Sequence, residues 1–254
     1  SEHQNHQCLF EHMLGLFTDQ SVFNWIIELF CLNKYEDERI QIEASWVIHR
    51  ISANDDRFLN ILMQNDLFVS FLVNPSITNL QFLQNFCSIL RNIAASDNKD
   101  IVYFLLYNQN LMEFIKGQLF EDIPFASKLE LVYALMNLIM DVKYEAENYL
   151  DDNLDILPIF VDYMMTCNDE SFIVLMLKTI EEIFVVGQRK IACGGENVYA
   201  NILLDNGVIE ALDQALQFAN NDDVVMRLMA AKKALLESPE EEEFQQPNQQ
   251  ESFI

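Results

Sequence analysis

The stretch ASWVIHRIS at residues 44–52 sets a tryptophan and an arginine one helical turn apart, on a different side from its aliphatic residues. At about 100° per residue, Ile40, Ala44, Val47, Ile48 and Ile51 gather on one stripe, and Glu43, Trp46 and Arg50 form a second face. A displayed indole of this kind is a binding anchor; the other reading packs Trp46 under a neighbouring unit, with Arg50 bonding a helix end. Other residues capable of chemistry are scattered. His3 and His6 have the helical spacing of a metal pair and His12 follows, but no further ligand is arranged to complete a fixed site. Cys193 precedes Gly194 and Gly195, with no histidine or basic helix start placed to activate the thiol. Asp55-Asp56, Asp151-Asp152 and Asp222-Asp223 fall at expected helix boundaries, where carboxylates cap the next helix and favour its dipole. The sequence has no GxGxxG, GxxxxGK[ST], HExxH or GxSxG arrangement, so neither a catalytic function nor a cofactor or metal is expected.

The elements that position these residues are helices. Only 6 Gly and 5 Pro interrupt 254 residues, and apolar side chains recur at spacings of three and four nearly throughout. The formal net charge of −25 repels phosphate backbones and anionic lipid, which argues against nucleic acid and attracts basic peptide segments. An acidic surface is also a plain route to solubility. Five cysteines without a CxxC pair point to a reducing compartment, the cytoplasm or the nucleus. The most apolar stretch, residues 172–186, is broken by Lys178, Glu181 and Glu182, so no membrane insertion is expected.

Four helical segments superimpose. EASWVIHRIS carries Ile51, FCSILRNIAA carries Ile93, LVYALMNLIM carries Leu138 and LMLKTIEEIF carries Ile183, at intervals of 42, 45 and 45 residues. That period belongs to armadillo or HEAT-type repeats. A second landmark follows each segment, a short turn opening another apolar helix at Asp66, Asn110, Asp155 and Gly207. These residue types tolerate left-handed backbone or cap a helix. The last interval holds an insertion, GQRKIACGGENVYA, read as a flexible loop around its glycine pair. CLFEHMLGLF and SVFNWIIELF read as two earlier helices. The expected organisation is an all-α, right-handed armadillo-type solenoid of about five repeats over residues 1–236. The acidic, Gln-rich residues 237–254 form a tail that cannot bury enough apolar surface to fold alone.

RIQIEASWVIHRISAND followed by LMQNDLFVSFL is similar to an early repeat of the importin-alpha branch of the armadillo family. FCSILRNIAASD and LVYALMNLIM resemble the next two repeats, and KTIEEIFVVGQRKIACGGENVYANILLDNGVIEAL resembles the end of the array. The resemblance covers nearly all of residues 20–245 as a pattern of moderate specificity. It implies a concave groove lined by the third helix of each repeat. There an aromatic residue holds the stem of a ligand lysine, and an Asn four residues later bonds the ligand backbone.

Carried over by position, the aromatic slot holds Trp46, Ser88, Tyr133 and Lys178, and the amide slot holds Arg50, Asn92, Asn137 and Glu182. Asp97 stands near the position of a lysine-pairing aspartate. The alternative for Asn92 and Asn137 is a ladder to the neighbouring repeat, and for Tyr133 partial burial. No repeat keeps the full Trp-Asn pair. The family's basic N-terminal helix has no counterpart where the first basic residue is Lys34. The resemblance implies an adaptor holding an extended basic, nuclear-localisation-type peptide for nuclear import, with an export receptor at the last repeat and the acidic tail. The competing expectation is an armadillo scaffold subunit embedded in a larger assembly, its groove given over to a structural partner.

Overall fold

The computed structural model describes residues 20–32, 37–53, 56–142 and 146–237. Fourteen helices occupy these residues: α1 (Gln20–Cys31), α2 (Glu38–Ser52), α3 (Asp56–Met63), α4 (Asp66–Val73), α5 (Leu80–Ala94), α6 (Lys99–Tyr107), α7 (Gln109–Phe120), α8 (Phe125–Val142), α9 (Ala146–Asp152), α10 (Ile156–Thr166), α11 (Glu170–Ala192), α12 (Val198–Asp205), α13 (Val208–Phe218) and α14 (Asp222–Leu236). They form four three-helix units, α3–α5, α6–α8, α9–α11 and α12–α14, preceded by the pair α1–α2. The third helices α2, α5, α8, α11 and α14 pack in succession, and the second helices run beside them through the contacts of α1 with α4, α4 with α7 and α10 with α13. The result is an all-α solenoid in which each unit buries its apolar stripe against the next.

Asparagine caps six of the fourteen described helices. Asn65, Asn79, Asn98, Asn108, Asn197 and Asn221, with Asp37 and Asp169, stand at helix starts, and their side chains accept backbone N–H groups of the first turn. Each such cap stabilises its helix by about 1 kcal/mol, because the first N–H groups have no partner within the helix. The caps of α4 and α7 are thus Asn65 and Asn108, one and two residues ahead of the expected landmarks Asp66 and Asn110. Gly207 precedes α13 with φ +83°, a left-handed conformation that favours glycine.

Three expectations need correction. Ile40 is exposed at the rim of α2, so the core stripe of that helix is Ala44, Ile48 and Ile51 with Val47 at its edge. Asp151 and Asp152 close α9 and do not cap α10; Asp151 accepts a hydrogen bond from Tyr199 at 2.7 Å and is ion-paired with Lys190. The insertion after Ile183 is mostly helix, since α11 runs on to Ala192 and only the turn at 193–197 remains. Its last turn carries Arg189 and Lys190, which suit the negative end of the helix dipole, and Lys190 is tied to α9, the first helix of the same unit, through Asp151.

The core is continuous along the stack. Phe30 of α1 meets Phe71, Phe82 and Phe86 at centroid distances of 5.0, 5.1 and 6.4 Å, and Phe86 meets Phe114 of the following unit at 5.8 Å. Phe86 therefore joins three successive units. Phe86→Ala should lower stability by about 3–5 kcal/mol, read from denaturant unfolding.

Burial pulls the Asp151 carboxyl upward, but hydrogen bonds from Lys190 and Tyr199 outweigh it and hold the group below its ordinary value. A carboxyl depressed in the folded state contributes stability that is present above its unfolded pKa and lost as pH falls through the folded one. The melting temperature of Asp151→Asn should accordingly lie below that of the native chain at pH 7. The gap should narrow as the pH is lowered below about 4, where the native carboxyl takes up its proton.

Candidate functional site

The row of third helices is bound together differently at each seam. Between α2 and α5 the side chains form three rungs. Asn79 Nδ2 donates to Glu38 Oε2 at 2.9 Å, Asn85 Nδ2 to Ser45 Oγ at 2.8 Å, and Asn92 Nδ2 to Ser52 Oγ at 3.0 Å. Ser45 and Ser52 in turn donate to Ile42 O and His49 O of their own helix at 2.6 and 2.8 Å. Both serines and Asn85 are buried, so these bonds satisfy groups that would otherwise be costly to enclose. Asn92 is half-buried, and its amide N–H is already engaged with the neighbouring unit.

Trp46 is 48% exposed, and the guanidinium carbon of Arg50 lies 5.3 Å from its ring centroid. Tyr133 is half-buried, its ring meeting Phe172 edge-on at 5.4 Å. The guanidinium carbon of Arg91, from the preceding third helix, sits 4.9 Å from the Tyr133 centroid. Glu130 holds Arg91 there, accepting from Nη1 at 3.0 and 3.3 Å. Burial pushes the Tyr133 hydroxyl pKa up, helped by the charge of Asp169, so the phenol stays protonated. Both aromatic positions thus carry an arginine of this chain against the ring, at distances where a cation is attracted to the ring quadrupole. His49, between these groups on α2, is half-buried with no hydrogen bond to Nδ1, and burial with the nearby Arg50 depresses its pKa.

The other predicted positions are placed unequally. Ser88 is 8% exposed and donates to Gln84 O at 3.2 Å within its own helix. Asn137 is half-buried on α8, one turn beyond Tyr133, and its side chain makes no hydrogen bond among the described residues. Lys178 is exposed on α11; Glu182, one turn on, has Arg189 Nη2 at 3.7 Å from Oε1 and no hydrogen bond to that oxygen. Asp97 is exposed in the turn after α5, where its backbone N–H donates to Asp56 Oδ2 at 2.9 Å. Positional transfer along one helix did not find Arg91 and Glu130, because they act on the ring of the next unit and on each other. Ser45, Ser52 and Asn85 were missed too, although the spacing of seven in both Ser45–Ser52 and Asn85–Asn92 signals two matched turns on facing helices.

Among the described residues, no group of three or more His, Cys, Asp or Glu side chains could hold a metal ion. His3, His6 and His12 lie outside those residues. No described helix is long and apolar enough to cross a membrane.

No protein-family profile matches the chain, and no curated protein does. Solved structures do match. A computationally designed armadillo repeat protein for modular peptide recognition aligns over 82% of this chain and 81% of its own, with a TM-score of 0.60 at 20% identity. A designed armadillo repeat protein in complex with the peptide (KR)4 aligns over 88% and 86%, with a TM-score of 0.61 at 18% identity. The fold is therefore the armadillo-type helical repeat, reached by a sequence far from these designs.

A double-mutant cycle separates ladder from ligand contact at Asn92. Asn92→Ala and Ser52→Ala should each destabilise the free chain by about 1 kcal/mol, with a coupling of at least about 0.5 kcal/mol in denaturant unfolding. Additive effects would mean that the rung contributes nothing to the fold.

Proposed function

We propose that this chain is a protein-binding solenoid whose row of third helices holds an extended, lysine- or arginine-bearing segment of a partner. The observation that carries the reading is the pair of rings already bearing cations: Arg50 on Trp46 and Arg91 on Tyr133. Surfaces that hold a guanidinium from their own chain have the shape and the quadrupole to hold one from another. The net charge of −25 steers a basic segment toward the molecule. The binding of (KR)4 by a protein of similar fold supports the same ligand class.

Residue roles follow from the geometry. Trp46 offers the more accessible of these two rings, and Asn137 offers an amide with no competing bond among the described residues, able to donate to and accept from an extended backbone. Tyr133 becomes available when Arg91 turns aside with Glu130. Asn92 retains its carbonyl oxygen for a ligand N–H while its amide N–H serves the ladder. Asp97 stands at the edge as an ionic partner, and Ser88 contributes backing and no direct contact. In its finer form, the basic segment is a nuclear localisation signal and the chain an import adaptor of the importin-alpha kind, acting in cytoplasm and nucleus. An export receptor at the last unit belongs to that same reading. The self-covered rings also favour a second role, a scaffold subunit whose permanent partner outcompetes Arg50 and Arg91.

Anisotropy of fluorescent (KR)4 at two salt concentrations tests the ligand class. Binding that weakens with salt is expected. Trp46→Ala should lose about 1 kcal/mol or more, and Asn137→Ala a similar amount. Arg91→Gln should tighten binding by freeing the Tyr133 face. Absence of binding at both salt concentrations would sink the reading, and failure of a lysine-tagged cargo to accumulate in nuclei with the chain would sink the import form alone.

A further inference from the structure

The seams between α2 and α5 and between α5 and α8 are closed by side chains, by the Asn–Ser rungs in one and the Arg91–Tyr133 stack in the other. The seam between α11 and α14 is bridged by Arg227 on Glu181 but left open beside that pair. There Ala230, Ala231 and Ala234 of α14 face Ile180, Phe184 and Val185 of α11 across a slot of about 260 Å³. Val185 is 42% exposed on the slot wall, and Met226, one turn before Ala230 on α14, is 63% exposed. The three alanines are the cause. They bring no side chain beyond Cβ to a seam that Tyr133 and Phe172 fill one unit earlier. Apolar surface left open in this way is a recognition feature.

We infer that this slot takes one large apolar side chain, a leucine, isoleucine or phenylalanine, from a basic partner segment lying along the third helices. The inference rests on the proposed reading and adds a specificity element to it: the partner carries an apolar anchor among its cations. Size limits the occupant to a single side chain of that class. Charge selects its source. Glu181 lines the slot and holds Arg227, whose Nε donates to Glu181 Oε1 at 3.2 Å; elsewhere on α11 and α14 Arg189 is paired with Glu182 and Lys233 with Glu237. An acidic segment meets these carboxylates and finds those three cations engaged. The chain's own Phe244, preceded by Glu240, Glu241, Glu242 and Glu243, is such a segment, and a second copy brings another −25 charges. A cationic partner faces neither penalty.

Two fluorescent peptides that differ only by Leu or Ala within an otherwise Lys/Arg sequence test the slot against the full-length chain by anisotropy. The Leu peptide should bind about tenfold tighter, the effect of burying one aliphatic side chain. That preference should vanish in Ala230→Phe, which fills the slot from an exposed position, and in Val185→Asp, with helicity checked by circular dichroism. Equal affinity of the two peptides for the native chain would overturn the slot and leave the groove reading standing. No binding of either peptide would remove both. A Leu preference that emerges only after removal of residues 238–254 would make the tail the occupant and overturn the partner assignment.

Discussion

Helix α5 buries ten of its 15 residues because α2 lies against one side and α8 against the other. That two-sided burial is the constraint from which the rest follows. A third helix has little surface left for water, so the polar residues it keeps must be bonded inside the seam or presented along the narrow open strip. Asn85 and Ser45 take the first course, Trp46 and Arg91 the second, and Asn92 stands on the boundary between them. Loss of one seam would expose the apolar stripes of two units at once, since neither unit has another surface on which to bury them.

The same packing orders the charges. Acidic residues outnumber basic ones by 40 to 15, yet several cations are spent on pairs between helices, Lys99 with Asp141 within one unit and Lys116 with Asp155 and Arg227 with Glu181 between successive units. Exposed pairs of this kind contribute little stability singly. Their larger effect is on the surface: with these cations matched, the excess of carboxylate defines the field that a partner meets. Arg50, Arg91 and Lys190 each lie against an aromatic ring, and at Trp46 and Tyr133 a cation from a partner would compete for the same face.

Legibility in the sequence followed the range of the interaction responsible. Helices and their period were readable because the apolar spacing and the recurring Asn, Asp and Gly act within a few residues. Trp46 was readable as displayed, since a single helix wheel decides which side it takes. The length of α11 was misjudged because a glycine pair drew attention to Gly194 and Gly195. The preceding QRKIA is good helix-forming sequence, tied down at Lys190 by a carboxylate 39 residues earlier.

By itself the sequence determined an all-helical repeat with a period near 42 to 45 residues, its strongly acidic surface and the aromatic and amide side chains set at helical spacing. The tertiary structure decided which of those side chains remain available. Asn92 reaches Ser52, Arg91 reaches Tyr133, and three alanines meet Phe184 and Val185, each across a boundary between units. Such contacts depend on how far one helix slides and rotates against the next, a quantity fixed by side-chain volumes on both surfaces together. No local pattern in one helix encodes it.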